Sequence, residues 1–131
     1  FRVELLQEEQ LVLVRTPRAG DGDGGDDGDL DYVYVDWGPS FAARHGAGTS
    51  VFGEPGVMAG LGPLGLSYIL RAGGMGYFRK GAVAPHVEAG ALELVAGAPE
   101  FTYPAYAVYA ESGEGRPEMQ DALAVLTRAV A

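Results

Sequence analysis

The stretch YVYVDWGPSFAARH, Tyr32 to His45, is where the fold class is decided. Asp31 to Asp36 interleaves aromatic and β-branched residues, the composition that favours a pleated, half-buried strand. Trp37-Gly38-Pro39 interrupts that pattern. Pro39 suits the first turn of a helix, where its missing N–H removes nothing, and Ser40 to His45 continues as that helix until Gly46 ends it. A strand that feeds a helix after a few residues is the building unit of an α/β protein.

Working outward, the pattern repeats. Ala47 to Val57 is Gly-rich with Pro55 and holds at most a short strand. From Pro63, PLGLSYILRA reads as a helix with Leu64, Tyr68 and Arg71 at helical spacing, closed by Gly73-Gly74, since glycine takes the left-handed conformation at a C-cap. Gly76 to Phe78 is a short strand, Val83 to Glu88 around Pro85 a helical turn, and Ala91 to Ala96 and Ala105 to Ala110 two more strands. Pro117 opens a last helix with Glu118 near its positive end; Met119, Ala122, Leu123, Leu126 and Val130 follow the spacing of one buried stripe. Upstream, Phe1 to Leu6 and Leu11 to Arg15 are two strand candidates. Between them and Tyr32, the run AGDGDGGDDGDLD has almost nothing to bury and reads as an acidic surface loop over residues 19–31. Strands and helices intermix throughout, so the fold class is α/β.

Composition narrows the function. The 131 residues suffice for one domain, and the 47% hydrophobic content fits a globular class. There is no cysteine, which excludes disulfides and thiolate metal sites and suits a cytoplasmic protein. No apolar run approaches the roughly 20 residues that span a bilayer, so no membrane partner is expected. No charged-then-apolar leader opens the chain. Phe1, in place of an initiator Met, suggests a fragment. Net charge is −9, and Asp21, Asp23, Asp26, Asp27, Asp29 and Asp31 supply six of those charges, leaving about −3 for the rest. The nine basic residues are scattered, with Arg79-Lys80 the one adjacent pair, whereas nucleic-acid binding needs a clustered basic surface.

The motifs that carry chemistry are mostly missing. A calcium loop needs oxygen ligands at positions 1, 3 and 5, Gly at 6 and Glu at 12. Starting at Asp21 the fifth and sixth positions are Gly25 and Asp26, in reverse; starting at Asp23 they fit, but the closing position is Tyr34. Gly60-Leu-Gly-Pro-Leu-Gly65 matches GxGxxG, yet no strand with an acidic tip follows near position 80, and Pro63 removes an amide that would face a pyrophosphate. A Gly-rich helix start is the better reading. His45 and His86 lie in no metal spacing, and Ser40 and Ser67 in no GxSxG elbow. Asp36, at a strand end before a helix, reads as a cap or turn residue. Trp37, Phe41, Tyr77 and Phe78 read as core or cleft wall. No catalytic residue, metal site or cofactor is expected, and the chain is not expected to be an enzyme.

YVYVDWGPSFAARH, followed by GLGPLGLSYILRAGGMGYF (Gly60 to Phe78) and VEAGALELVAGAPEFTYPAYAVYAE (Val87 to Glu111), resembles the second half of the effector-binding domain of LysR-type transcriptional regulators. The resemblance covers about four-fifths of the chain. It implies a type II periplasmic-binding-protein-like fold of two α/β subdomains joined by crossing strands. Residues 1–104 would be mostly the second subdomain, and 105–131 the return strand and terminal helix of the first. The ligand cleft of such a domain is lined by helix N-termini, which here implies Gly38, Pro39, Ser40 and Phe41, with Gly62 and Leu64 as a second candidate. Free amides at such a start attract a carboxylate, and the Ser40 hydroxyl adds a hydrogen bond. The implied partners are a small anionic effector and, through a winged helix-turn-helix absent from this chain, DNA; the full-length protein would be a homo-oligomer. The long acidic loop and the Gly-rich run Gly46 to Gly56 depart from the family pattern. A stand-alone solute-binding module is the alternative, distinguished by a leader peptide and no upstream helix-turn-helix.

Overall fold

The structure, a computed structural model, describes residues 1–17, 30–46 and 54–130. The calcium-loop reading of the Asp/Gly segment and most of the Gly46–Gly56 run lie outside these residues. Contacts divide the chain into two compact units, one of Leu11–Phe101 and one of Phe1–Gln10 with Thr102–Ala131. The division falls between Phe101 and Thr102, and the first ten residues lie in the unit of the C-terminal helix.

In the larger unit the elements run β1 (Arg2–Arg15, its second half), β2 (Tyr32–Val35), α1 (Pro39–Gly46), β3 (Val57–Ala59), α2 (Gly62–Ala72), β4 (Met75–Arg79), α3 (Lys80–Glu88) and β5 (Glu93–Leu94). The sheet order is β3-β2-β4-β1-β5. Strand β2 pairs in parallel with β3, Val35 opposite Ala59, and in parallel with β4, Tyr32 opposite Met75. Strand β1 runs antiparallel to β4 and β5. Mixed sheets of this kind are ordinary where helices cover the parallel part.

Strand alternation sorts the core into two faces. Val33 and Val35 share an aliphatic cluster with Val12, Val14, Ile69, Phe78 and Val83, beneath α2 and α3. Tyr32 and Tyr34 point the other way and meet His45 and Phe41 of α1. The period of two places successive side chains on opposite sides, so β2 is buried on both. Each such Val or Phe contributes about 1.5–3 kcal/mol on burial.

Four elements differ from the sequence reading. Phe1–Leu6 and Leu11–Arg15 form one strand, β1, because Gln7 to Gln10 keep the extended ladder despite their polarity; β6 (Phe101–Tyr109) pairs with β1 as well. The turn at Val83–Glu88 is a full helix, α3, with Pro85 inside it and Val83 buried. The strand expected over Ala91–Ala96 shrinks to Glu93–Leu94. On α2 the buried side is Gly62, Gly65 and Ile69, not the row through Leu64 and Arg71, since glycines let the helix lie close on the sheet.

The smaller unit holds the first half of β1, most of β6, a 3-10 turn (Glu111–Gly113) and α4 (Pro117–Val130). Arg2 Nε meets Glu114 Oε2 at 2.8 Å, and Met119 lies over Gly113. No residue of α4 is fully buried: Met119, Leu123 and Val130 are half-buried, and Leu126 is exposed. Two strands and a turn give the stripe little to pack against.

Candidate functional site

The parallel strands β2, β3 and β4 end at one edge of the sheet, and α1, α2 and α3 begin there. From β2 the chain leaves through α1 toward β3; from β4 it leaves through α3 toward β5, on the opposite side. Neighbouring strands whose outgoing connections diverge leave a crevice between them, and open α/β sheets bind ligands at that switch point. Here it lies between Val35 and Arg79. Trp37 bridges it, its indole N–H donating to the carbonyl of Tyr77 at 3.0 Å.

The first turn of α1 faces this edge. Gly38, at φ +98°, takes a backbone conformation that side chains disfavour, and its carbonyl accepts the first helical bond from Ala42 N–H at 3.0 Å. Its own amide donates to Asp36 Oδ1 at 3.0 Å, which assigns Asp36 to the turn. Pro39 has no N–H. Of the four first-turn amides a helix leaves without a helical acceptor, those of Ser40 and Phe41 therefore remain as donors. Ser40 is exposed, whereas the Phe41 ring is only 4% exposed, turned from solvent toward Tyr77 and Phe101. Its part is to anchor the turn from behind.

That anchor is an aromatic box. Phe41 stands edge-to-face with Tyr77 (5.7 Å) and Phe101 (5.2 Å), and His45 stacks on Tyr32 at 5.7 Å between ring centroids. Tyr32 Oη and His45 Nε2 share a 2.5 Å hydrogen bond, and Tyr77 donates its hydroxyl to the carbonyl of Pro99 at 3.0 Å. Burial pushes the Tyr77 phenol up to about 12 and raises Tyr32 further. Burial likewise holds His45 below the ordinary histidine value. The unfolded chain takes up this proton near pH 6.5 and the folded chain at lower pH, so the stability His45 provides is complete above about 6.5 and declines as pH falls through the folded value. Thermal melts of the wild type should therefore drop between pH 7.5 and 5.5 by more than those of His45→Gln. Equal slopes would exclude His45 as the source.

The start of α2 is built for contact. A Cβ on Gly62 would lie 2.4 Å from Trp37 Cη2, and one on Gly65 would lie 2.9 Å from Val35 Cγ2. Gly62 and Gly65 of the GxGxxG run thus admit an indole and a strand, which accounts for these two without a phosphate. Leu64 is 61% exposed and faces a separate groove with Val57, Met58, Tyr68 and Arg71. Of the six residues singled out from sequence, Gly38 to Phe41 form one turn, Gly62 joins them through Trp37, and Leu64 faces elsewhere. Trp37, read from sequence as core or cleft wall, and Arg79, given no role there, are both parts of this edge. They are far apart in the chain, and only the parallel β2–β4 pairing brings them together. Among the described residues no cluster of three metal-ligating side chains occurs.

No family model matches the sequence, and no curated protein matches it either. Solved structures do. The regulatory domain of CrgA, a LysR-type transcriptional regulator from Neisseria meningitidis, superposes with a TM-score of 0.72 at 16% identity, over 99% of this chain and 69% of its own. The apo regulatory domain of HypT from Salmonella typhimurium gives 0.70 at 12% identity, over 98% of this chain and 66% of that one. Full-length LysG from Corynebacterium glutamicum, with bound effector Arg, gives 0.60 at 20% identity over 96% of this chain and 46% of LysG. The chain thus spans about two thirds of the HypT regulatory domain and less than half of LysG. Its α/β fold is that of LysR-type regulatory domains, which is periplasmic-binding-protein-like.

Proposed function

We propose that this chain is the ligand-sensing part of a LysR-type transcriptional regulator, and that it binds a small anionic effector at the first turn of α1. One observation carries the reading: the switch point between β2 and β4 opens beside two amides, Ser40 and Phe41, that the helix leaves without acceptors. The Ser40 hydroxyl adds a third donor, and the aromatic box behind Phe41 fixes the turn, so the donors are preorganised. The chain does no chemistry on its ligand. Effector binding shifts the population between arrangements of the regulator, which re-aims DNA-binding heads in a homo-oligomer; the effector must bind those arrangements with unequal affinity for anything to move. Among the described residues no helix is long and apolar enough to cross a membrane; on this reading the regulator is where it meets DNA, in the cytoplasm.

Calorimetry of the chain against pools of small organic anions tests the site. Ser40→Asp, which sets a carboxylate at the turn, is expected to weaken binding by about tenfold or more, as loss of a charge-assisted hydrogen bond does. Unchanged heat in that variant would move the anion elsewhere. The regulator reading is tested by the DNA upstream of the Phe1 codon: an in-frame winged helix-turn-helix of roughly 60 residues supports it, and a leader peptide there would favour a solute-binding module.

A further inference from the structure

On the far side of Trp37 from α1 lies a second cleft of about 250 Å³, between the starts of α2 and α3. Its walls are Trp37, Gly62, Leu66 and Ala82, its floor the buried Phe78, and Arg79 stands in its lining. Arg79 is the one charged residue of that lining, and no carboxylate shares it. Arg79 is exposed and, among the described residues, makes no ion pair. One member of the chain's single adjacent basic pair, Arg79-Lys80, thus stands at this cleft in a chain of net charge −9. The Trp37 ring is held in position by its hydrogen bond to Tyr77 and its seat on Gly62.

We propose that this cleft is a binding site for a small aromatic monocarboxylate, its ring against the Trp37 indole and Phe78, and its carboxylate on the Arg79 guanidinium. Each part of that ligand answers a feature of the lining. The apolar walls accept a ring, which stacks on an indole with a preference for offset or edge contact. The guanidinium presents paired donors that match the two oxygens of a carboxylate. The volume lies below the roughly 300–1,000 Å³ of clefts that hold drug-sized molecules, which limits the occupant to about one ring and a short acid arm. This site is separate from the first turn of α1, and it stands or falls independently of the regulator reading.

Phenylacetate is the probe, with 2-phenylethanol as its neutral counterpart. Trp37 is the chain's single tryptophan, so its emission reports the site directly, and calorimetry gives the affinity. Phenylacetate is expected to shift that emission saturably and to bind at least about tenfold more tightly than 2-phenylethanol. Arg79→Gln, an exposed change that leaves the core alone, is expected to weaken phenylacetate by about tenfold or more and to leave 2-phenylethanol unaffected. Ala82→Phe, which fills the cleft, is expected to abolish both. No saturable response, or equal phenylacetate affinity in the wild type and Arg79→Gln, overturns the proposal. Loss of binding in Ser40→Asp with Arg79→Gln unaffected overturns it too, and leaves the anion at the start of α1.

Discussion

Replacing Phe78 with alanine is expected to remove about 3–5 kcal/mol of stability, the cost of deleting an aromatic side chain from a core that closes only in part over the gap. Phe78 is 1% exposed and sits where β4 meets α2: its ring lies 3.3 Å from the Cβ position of Gly65 and 3.0 Å from that of Gly76. Those two glycines bring α2 and β2 close to it, and neither has a side chain that could move into the space. Native domains are stable by about 5–15 kcal/mol, so the loss is a large share of the total. Urea denaturation of the wild type and Phe78→Ala measures it. Where the alanine variant does not fold, Phe78→Leu should show the same direction with a smaller loss. A midpoint unchanged in both would mean that the aliphatic face of the sheet is not the core of this unit.

The second large effect is expected at Gly62→Ala, a change of one methyl group. Alanine ordinarily favours a helix over glycine by about 0.5–1 kcal/mol. Here its Cβ would lie 2.4 and 2.9 Å from two Trp37 ring carbons, and the ring cannot swing aside without giving up its hydrogen bond to Tyr77. Overpacking of this kind costs about 1–3 kcal/mol, so the net result is destabilisation in spite of the better helix former. The emission of Trp37 should move to the red as its indole is displaced toward water. Gly60→Ala serves as the control, since nothing lies within 4 Å of a Cβ there. Equal behaviour of the two variants would remove the contact from the account.

Much of this fold was legible because its local signals agree. Tyr32 to Gly46 was readable as strand and helix because alternation, Pro39 and Gly46 all pointed the same way, and the α2 boundaries followed from Pro63 and Gly73. Strand β1 was split in the reading because the polar run Gln7 to Gln10 interrupts the apolar alternation, although Gln7, Glu9 and Gln10 are half-buried in the strand. Helix α3 was shortened to a turn because Pro85 counts against helix locally, whereas burial of Val83 in the core outweighs one lost amide donor. At the candidate site, the α1 turn was visible in Gly38-Pro39-Ser40-Phe41, but the roles within it only in part. Asp36 was readable as a cap or turn residue and Phe41 as core or cleft wall, but not that Asp36 accepts from the Gly38 amide in particular, nor which of the two places Phe41 takes. Trp37 and Arg79 were illegible as neighbours because sheet order, not spacing, sets that distance.

The two-faced burial of β2 also makes this short segment sensitive to parity. Its odd and even positions serve different solvents, one an aromatic box with a hydrogen-bonded histidine, the other a dry aliphatic layer. Deleting a single residue between Val33 and Val35 would therefore do more than shorten a strand. It would exchange the residues that precede the gap between the two layers, sending a tyrosine hydroxyl into a region with no polar partner and a valine beneath His45. Changes of length in this strand are tolerable only in pairs, so this segment can drift in composition far more readily than in residue count.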